Sequence, residues 1–149
     1  MKTDPPRCEA TPQIVTNKIS REIHRLDRIL FEGDAKVKAE GAWWWIIRNR
    51  RGTAIAFAGM RACLMPENKG FAILTRAGVR RKYRGNGLQK QLIRARIRMA
   101  RRQGFRELLA YVLGNNLASA NSLIACGFRL YAPAEFWAGK KALYFRLVL

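Results

Sequence analysis

Carboxylates and cysteines are scarce in this chain: ten Asp or Glu stand against 29 Lys or Arg, and there are three cysteines. Cys8, Cys63 and Cys126 are odd in number and far apart, which excludes a disulfide framework and a CxxC metal cluster. Buried free thiols are the reading left, and no metal site is expected. No apolar run approaches the ~20 residues a membrane span needs. The first dozen residues are polar and carry Pro5, Pro6 and Pro12, without the apolar stretch of a secretory signal. The expectation is a cytoplasmic protein with no membrane partner.

What is present is a core. An apolar content of 49% in 149 residues suits one compact domain. We read 1–12 as a flexible tail and 13–149 as that domain, with no internal repeat or linker. Oligomeric state is left open, a dimer included.

The net charge of +19 is unevenly spread, because from Asn68 to Arg106 there are thirteen Lys or Arg and no Asp or Glu. A phosphorylated cofactor, nucleic acid, an acidic protein surface or an anionic membrane would each suit this stretch, and charge alone does not choose among them.

Periodicity orders the elements. A short strand is expected at Gln13 to Thr16, then a helix from Ser20 to Phe31 on the spacing of Ile23, Leu26 and Leu30, with His24 off the stripe and Gly33 as the stop. Runs at Ala42 to Ile47, Thr53 to Cys63 and Phe71 to Val79 read as an antiparallel meander. An amphipathic helix opens near Leu88 and closes at Gly104, and Leu108 to Leu113 reads as a buried strand. Strand, helix and strand in succession imply a parallel pair with a right-handed crossover. A helix from Asn116 to Cys126, ended by Gly127, and strands at Phe128 to Tyr131 and Ala142 to Leu147 complete the series. The fold class is α/β, an α+β arrangement on one mixed sheet.

Chemistry concentrates in Val79 to Gln89. Gly85 and Gly87 allow close backbone approach, and the N–H groups of the helix that begins there favour an anion such as pyrophosphate. The segment lacks the third glycine and downstream acid of a dinucleotide fingerprint and the Gly-Lys-Ser/Thr of a P-loop.

Arg84-Gly85-Asn86-Gly87-Leu88-Gln89, after a strand ending in Val79, resembles the Arg/Gln-x-x-Gly-x-Gly/Ala signature of the GNAT superfamily of N-acetyltransferases, with Gln89 where a small residue is usual. Asn116, Ser119, Asn121 and Leu123, followed by Gly127-Phe128, resemble the family's Asn-x-x-Ala helix closed by Gly-Phe. The two motifs cover Phe71 to Tyr131, and the chain is most similar to small acetyltransferases of bacterial and phage genomes. The resemblance implies an acyl-CoA N-acyltransferase fold with a splayed central pair of parallel strands and acetyl-CoA as cosubstrate. Cofactor contacts then fall to Ala77, Gly78 and Val79 on the strand, to Arg84, Gly85, Asn86, Gly87, Leu88 and Gln89 at the loop, and to Asn116, Ser119 and Asn121 opposite. It also implies that the N–H of Ala77 polarises the thioester carbonyl.

The family's usual Tyr acid and Glu base correspond to Leu123 and Ile73, so the catalytic pair is absent. Tyr131, Glu22 and Glu67 are carried as candidates, with Tyr111, Tyr144, His24 and Glu135 behind them and water as a substitute. Cys126 next to Gly127 reads as a packed thiol rather than a nucleophile. Trp43-Trp44-Trp45 alternates across a strand and is assigned mainly to the core, while Phe136-Trp137 falls in a late loop that could rim an acceptor pocket. The expected function is acetyl transfer from acetyl-CoA to a primary amine by direct attack. The alternative is an inactive module of the same fold that binds nucleic acid or an acidic partner. The acceptor is expected on an acidic protein surface, nucleic acid being the less favoured partner.

Overall fold

The computed structural model describes residues 10–14, 16–34, 36–64 and 69–149. Within them the chain runs β1 (Thr11–Gln13), α1 (Asn17–Leu30), β2 (Trp43–Arg48), β3 (Ala54–Ala62), β4 (Phe71–Val79), α2 (Leu88–Arg102), β5 (Glu107–Leu113), α3 (Leu117–Ala125), β6 (Arg129–Leu130) and β7 (Ala142–Val148). A 3₁₀ turn, Arg81–Tyr83, interrupts the loop before α2. No described helix is long and apolar enough to cross a membrane.

The strands form one seven-stranded sheet in the order β1-β2-β3-β4-β5-β7-β6. Among the described strands only β4 and β5 pair in parallel, as the intervening α2 demands. The first strand lies two residues earlier than the expected Gln13 start, with Thr11 to Gln13 paired to Ile46 to Trp44 and Ala10 buried, so 10–12 of the expected tail are part of the fold. Residues 1–9, Cys8 among them, lie outside the described residues.

Alternation along the strands splits the core into two layers. Trp44, Ile46 and Phe57 face α1, where Ile23 and Leu26 meet them. Trp45, Ile47, Ala58, Met60, Leu74, Leu108 and Ala110 face the other way, onto Leu92, Ile93, Ile97 and Ala100 of α2 and Leu123 of α3. Of the tryptophan run, Trp44 and Trp45 are buried on opposite faces, and the Trp44 indole donates to Ala39 O at 2.9 Å. Trp43 packs edge-on against Phe105. Helix α1 starts three residues before the expected Ser20 because the Thr16 hydroxyl caps it, accepting from Ile19 N at 3.2 Å. Gly104, at φ +75°, and Gly127, at φ +97°, close α2 and α3 in the left-handed conformation glycine takes without strain.

Candidate active site

Parallel pairing of β4 with β5 covers only Phe71↔Glu107, Ala72↔Leu108 and Ile73↔Leu109. Beyond Ile73 the strands part: β4 stays with β3 as far as Val79↔Ala56, and β5 stays with β7 as far as Leu113↔Ala142. The edges that face each other across the gap keep no strand partner there among the described residues, and a cleft of about 510 Å³ opens between them. A β-bulge starts the divergence. Ala58 pairs with Ala77 and Met60 with Leu74, so Gly59 alone stands opposite Thr75 and Arg76. Gly59 must be small, since a Cβ there would overlap Thr75 Oγ1 and lie 2.8 Å from the Trp44 ring.

The bulge is braced by a residue that the sequence motifs do not single out. Arg96 of α2 is 2% exposed, and its guanidinium donates to Gly59 O (3.2 Å), to Thr75 O (3.4 Å) and to Leu92 O (3.1 Å). No carboxylate pairs with it among the described residues. Burial lowers its pKa to about 9, so it is a cation at neutral pH, and it lines the cleft. A signal for it existed: Arg96 falls on the apolar stripe of α2, four residues after Leu92 and three after Ile93. The Thr75 hydroxyl, also at the bulge, is buried without a protein partner among the described residues.

At the mouth of the cleft stands the start of α2. Thr16 and Asn116 cap α1 and α3 with side chains, Asn116 accepting from Ser119 N at 3.2 Å, but the N-cap of α2 is Gly87, which has none. Its first N–H groups are left for a ligand, with no acidic residue in the first turn. Gly85 and Gly87 adopt φ of +78° and +72°, and no other atom lies within 4 Å of where a Cβ would stand on either, which leaves the approach open. Arg84 Nε donates to Val79 O at 3.0 Å, and the Asn86 amide donates to Tyr83 O and Arg84 O, so the loop is held in this shape. Gln89 explains its own departure from the small-residue pattern: its amide donates to Ser119 Oγ at 2.9 Å and ties α2 to α3 across the cleft.

Ala77, Gln89, Asn116 and Ser119 thus come together on the cleft wall. The side chains of Val79 and Leu88 are in the core, and a Cβ on Gly78 would meet Leu30 and Phe31 at 2.8 and 2.9 Å, so these three can offer a ligand only backbone. Asn121 is exposed and does not line the cleft, because it projects from α3 roughly opposite Ser119, two residues away.

The α1 side of the cleft carries Phe31, Asp34, Lys36, Ile73, Arg76 and Tyr111. Arg76 bonds Asp27 at 3.0 Å, lies 3.7 Å from Asp34 and covers the Phe31 ring. Tyr111 is 46% exposed and meets Trp137 edge-on at 5.5 Å, so the late loop packs on Tyr111, while Phe136 and Trp137 themselves do not line the cleft. Two of the three favoured proton carriers, Glu22 and Tyr131, do not line it. Glu22 is held by both terminal guanidinium nitrogens of Arg48, at 2.6 and 2.8 Å, a hydrogen bond that lowers its pKa. Tyr131 follows β6, beyond β7 from the cleft, where burial raises its pKa. Glu67 lies outside the described residues. Tyr144 is used structurally, its hydroxyl accepting from Ala138 N and donating to Gly139 O. Burial also raises the pKa of the half-buried Cys126 thiol, which argues against a nucleophilic thiolate.

Comparison with known proteins bears on this geometry. The model of the acetyltransferase (GNAT) family matches residues 12–128. No curated protein shows a significant match. Solved structures share the fold at low identity. A GNAT superfamily phosphinothricin acetyltransferase from Sinorhizobium meliloti, in complex with AcCoA, superposes with a TM-score of 0.73 at 18% identity, over 95% of this chain and 89% of that one. The ribosomal-protein-S18-alanine N-acetyltransferase of Escherichia coli gives 0.72 at 16%, over 93% and 92%. A GCN5-related N-acetyltransferase from Kribbella flavida gives 0.72 at 17%, over 95% and 98%.

Proposed function

The chain belongs to the acetyltransferase (GNAT) family, and on that premise we propose that it is an N-acetyltransferase taking its acetyl group from acetyl-CoA and delivering it to a primary amine. The observation that carries this reading is the uncapped start of α2 at the mouth of the β4–β5 cleft. Its free N–H groups and helix dipole suit a pyrophosphate, and the unpaired edge of β4 suits an extended amide-bearing arm. The residues therefore fit acetyl-CoA, with Arg84 to Gln89 holding its phosphates, Ala77 to Val79 offering backbone to its arm, and Asn116 and Ser119 forming the wall opposite. When bound, acetyl-CoA supplies an acyl group activated as a thioester.

The chain's part is to position the amine and manage protons. A lysine-like amine has a pKa of about 10.4 and must lose a proton before it attacks. We assign the proton donor for the departing sulfur to the Tyr111 hydroxyl, the phenol that lines the cleft, and the removal of the amine proton to cleft water. Arg96, buried beside the bulge, adds positive potential where negative charge develops.

The acceptor side bears on substrate class. Glu22 and Asp27 are each bound by an arginine, and Asp34 lies 3.7 Å from Arg76. With these carboxylates engaged and a net charge of +19, the site favours an amine in an acidic setting, such as a protein N-terminus or lysine on an acidic surface, over a polyamine. A thiol-release assay with acidic peptides and polyamines, each at low and high salt and with product confirmed by mass, tests this. Acetylation of peptides, strongest at low salt, is expected; efficient turnover of polyamines alone would contradict it. Tyr111→Phe is expected to lower kcat by about 10²-fold with little change in KM. An unchanged kcat would remove Tyr111 from the mechanism.

A further inference from the structure

A second and larger cleft, of about 950 Å³, lies on the other side of the loop that precedes α2. It shares no lining residue with the β4–β5 cleft. Its walls are the last turn of α1, the β2–β3 turn and the 3₁₀ segment, and six cations line it: Arg50, Arg51, Arg80, Arg81, Lys82 and Arg84. Among the described residues no carboxylate lines it.

These walls are fixed. Asn49 Oδ1 accepts from Arg51 N (3.0 Å) and Thr53 N (2.9 Å), which locks the β2–β3 turn, while Asn49 Nδ2 donates to Tyr83 Oη at 3.1 Å and fastens that turn to the 3₁₀ segment. Arg80 N donates to Ile55 O at 2.8 Å. Arg80 Nε is buried and meets no acceptor among the described residues. An unmet buried donor is costly, and the like charges of Arg51, Arg80, Arg81, Lys82 and Arg84 on one concave wall repel each other. The repulsion falls when an anion with several acceptor oxygens enters. Guanidinium forks match phosphate in particular, and the volume exceeds that of a single phosphate group.

We propose that this cleft is a second anion site, taking a phosphate-rich ligand independently of the acetyl-CoA groove. The proposal does not depend on acetyl transfer. It is consistent with the placement of the cleft beside Ile29 and Leu30 of α1, away from Gln89, Asn116 and Ser119. Two sources share the chemistry: a separate polyphosphate-bearing molecule, which we favour because Arg50, Arg51, Arg80, Arg81 and Lys82 lie outside the residues given to acetyl-CoA and Arg84 alone is common to both, and the 3′-phosphate end of CoA.

Tripolyphosphate is the probe, titrated calorimetrically into the protein saturated with acetyl-CoA. Arg51 and Arg81 are exposed and outside the acetyl-CoA groove, so the double variant Arg51→Ser/Arg81→Ser leaves the fold and that groove intact. We expect one saturable tripolyphosphate site whose affinity falls with salt and drops roughly tenfold or more in the double variant. Acetyl-CoA affinity should not change. Loss of tripolyphosphate binding on saturation with acetyl-CoA would overturn the proposal. So would a double variant that weakens CoA but not dephospho-CoA, since that result assigns the cleft to the cofactor's own 3′-phosphate. Absence of any binding would overturn it as well.

Discussion

Replacing Arg96 with methionine isolates the device that opens the cleft. Methionine approximates the stem of arginine, so the core around Leu92 and Ile93 stays filled while the guanidinium is lost. Gly59 O and Thr75 O then lose their donor inside the bulge. Each unmatched carbonyl costs about 1–3 kcal/mol. Removing a buried cation works the other way, because its desolvation, which already lowers the arginine pKa to about 9, is relieved. The Thr75 contact is long at 3.4 Å and counts for little. We therefore expect a net loss near ~2 kcal/mol, which in a domain of this size lowers Tm by roughly 4–8 °C. The more specific effect is on the cleft: with its brace gone the bulge is free to shift register, and acetyl-CoA affinity should fall by more than the stability loss accounts for. Thermal unfolding followed by circular dichroism, together with acetyl-CoA titration of the folded variant, measures both. A methionine variant as stable as the parent and equal in acetyl-CoA affinity would refute the role given to Arg96.

Gly59→Ala attacks the same bulge from β3, where the added methyl overlaps Thr75 Oγ1 and crowds Trp44; a loss of about 1–3 kcal/mol in denaturant unfolding is expected, and a neutral substitution would show that the bulge yields easily. Glu22→Gln separates structure from catalysis. Because the hydrogen bond from Arg48 lowers the Glu22 pKa below the ordinary 4.5, its contribution is present above that value and is lost as pH falls through the lowered one. The parent should exceed the glutamine variant by about 0.5–1 kcal/mol at neutral pH, with the gap closing in acid and kcat unaffected; a gap independent of pH would contradict the ion pair.

Much of the fold was legible because its elements obey simple periods. The β4 run from Phe71 to Val79 has the expected bounds, and the strand–helix–strand order fixed the parallel pair. The tight loop before α2 was legible from Gly85 and Gly87, whose positive φ the turn requires. Local patterns did not reveal what depends on long-range packing. Arg96 looked like one more arginine in a basic helix until β3 and β4 brought two carbonyls to it. Sequence alone put Tyr131 ahead of Tyr111, and only the strand order, with β7 between β5 and β6, places Tyr131 away from the cleft and Tyr111 on its wall. The basic cleft was visible as charge from Asn68 to Arg106, but its second wall comes from Arg50 and Arg51, about thirty residues earlier in the chain.

Acetyl-CoA is expected to bind where β4 and β5 part, and thermal unfolding with and without acetyl-CoA tests this most directly. At a hundredfold excess over its dissociation constant the ligand should stabilise the fold by about 2.7 kcal/mol, a rise in Tm of roughly 5–11 °C for a chain of this size. Ser119→Trp, which fills the cleft wall from an α3 position away from the main core, should abolish most of that rise. An unchanged Tm at millimolar acetyl-CoA, or an equal rise in the Ser119→Trp protein, would contradict the assignment.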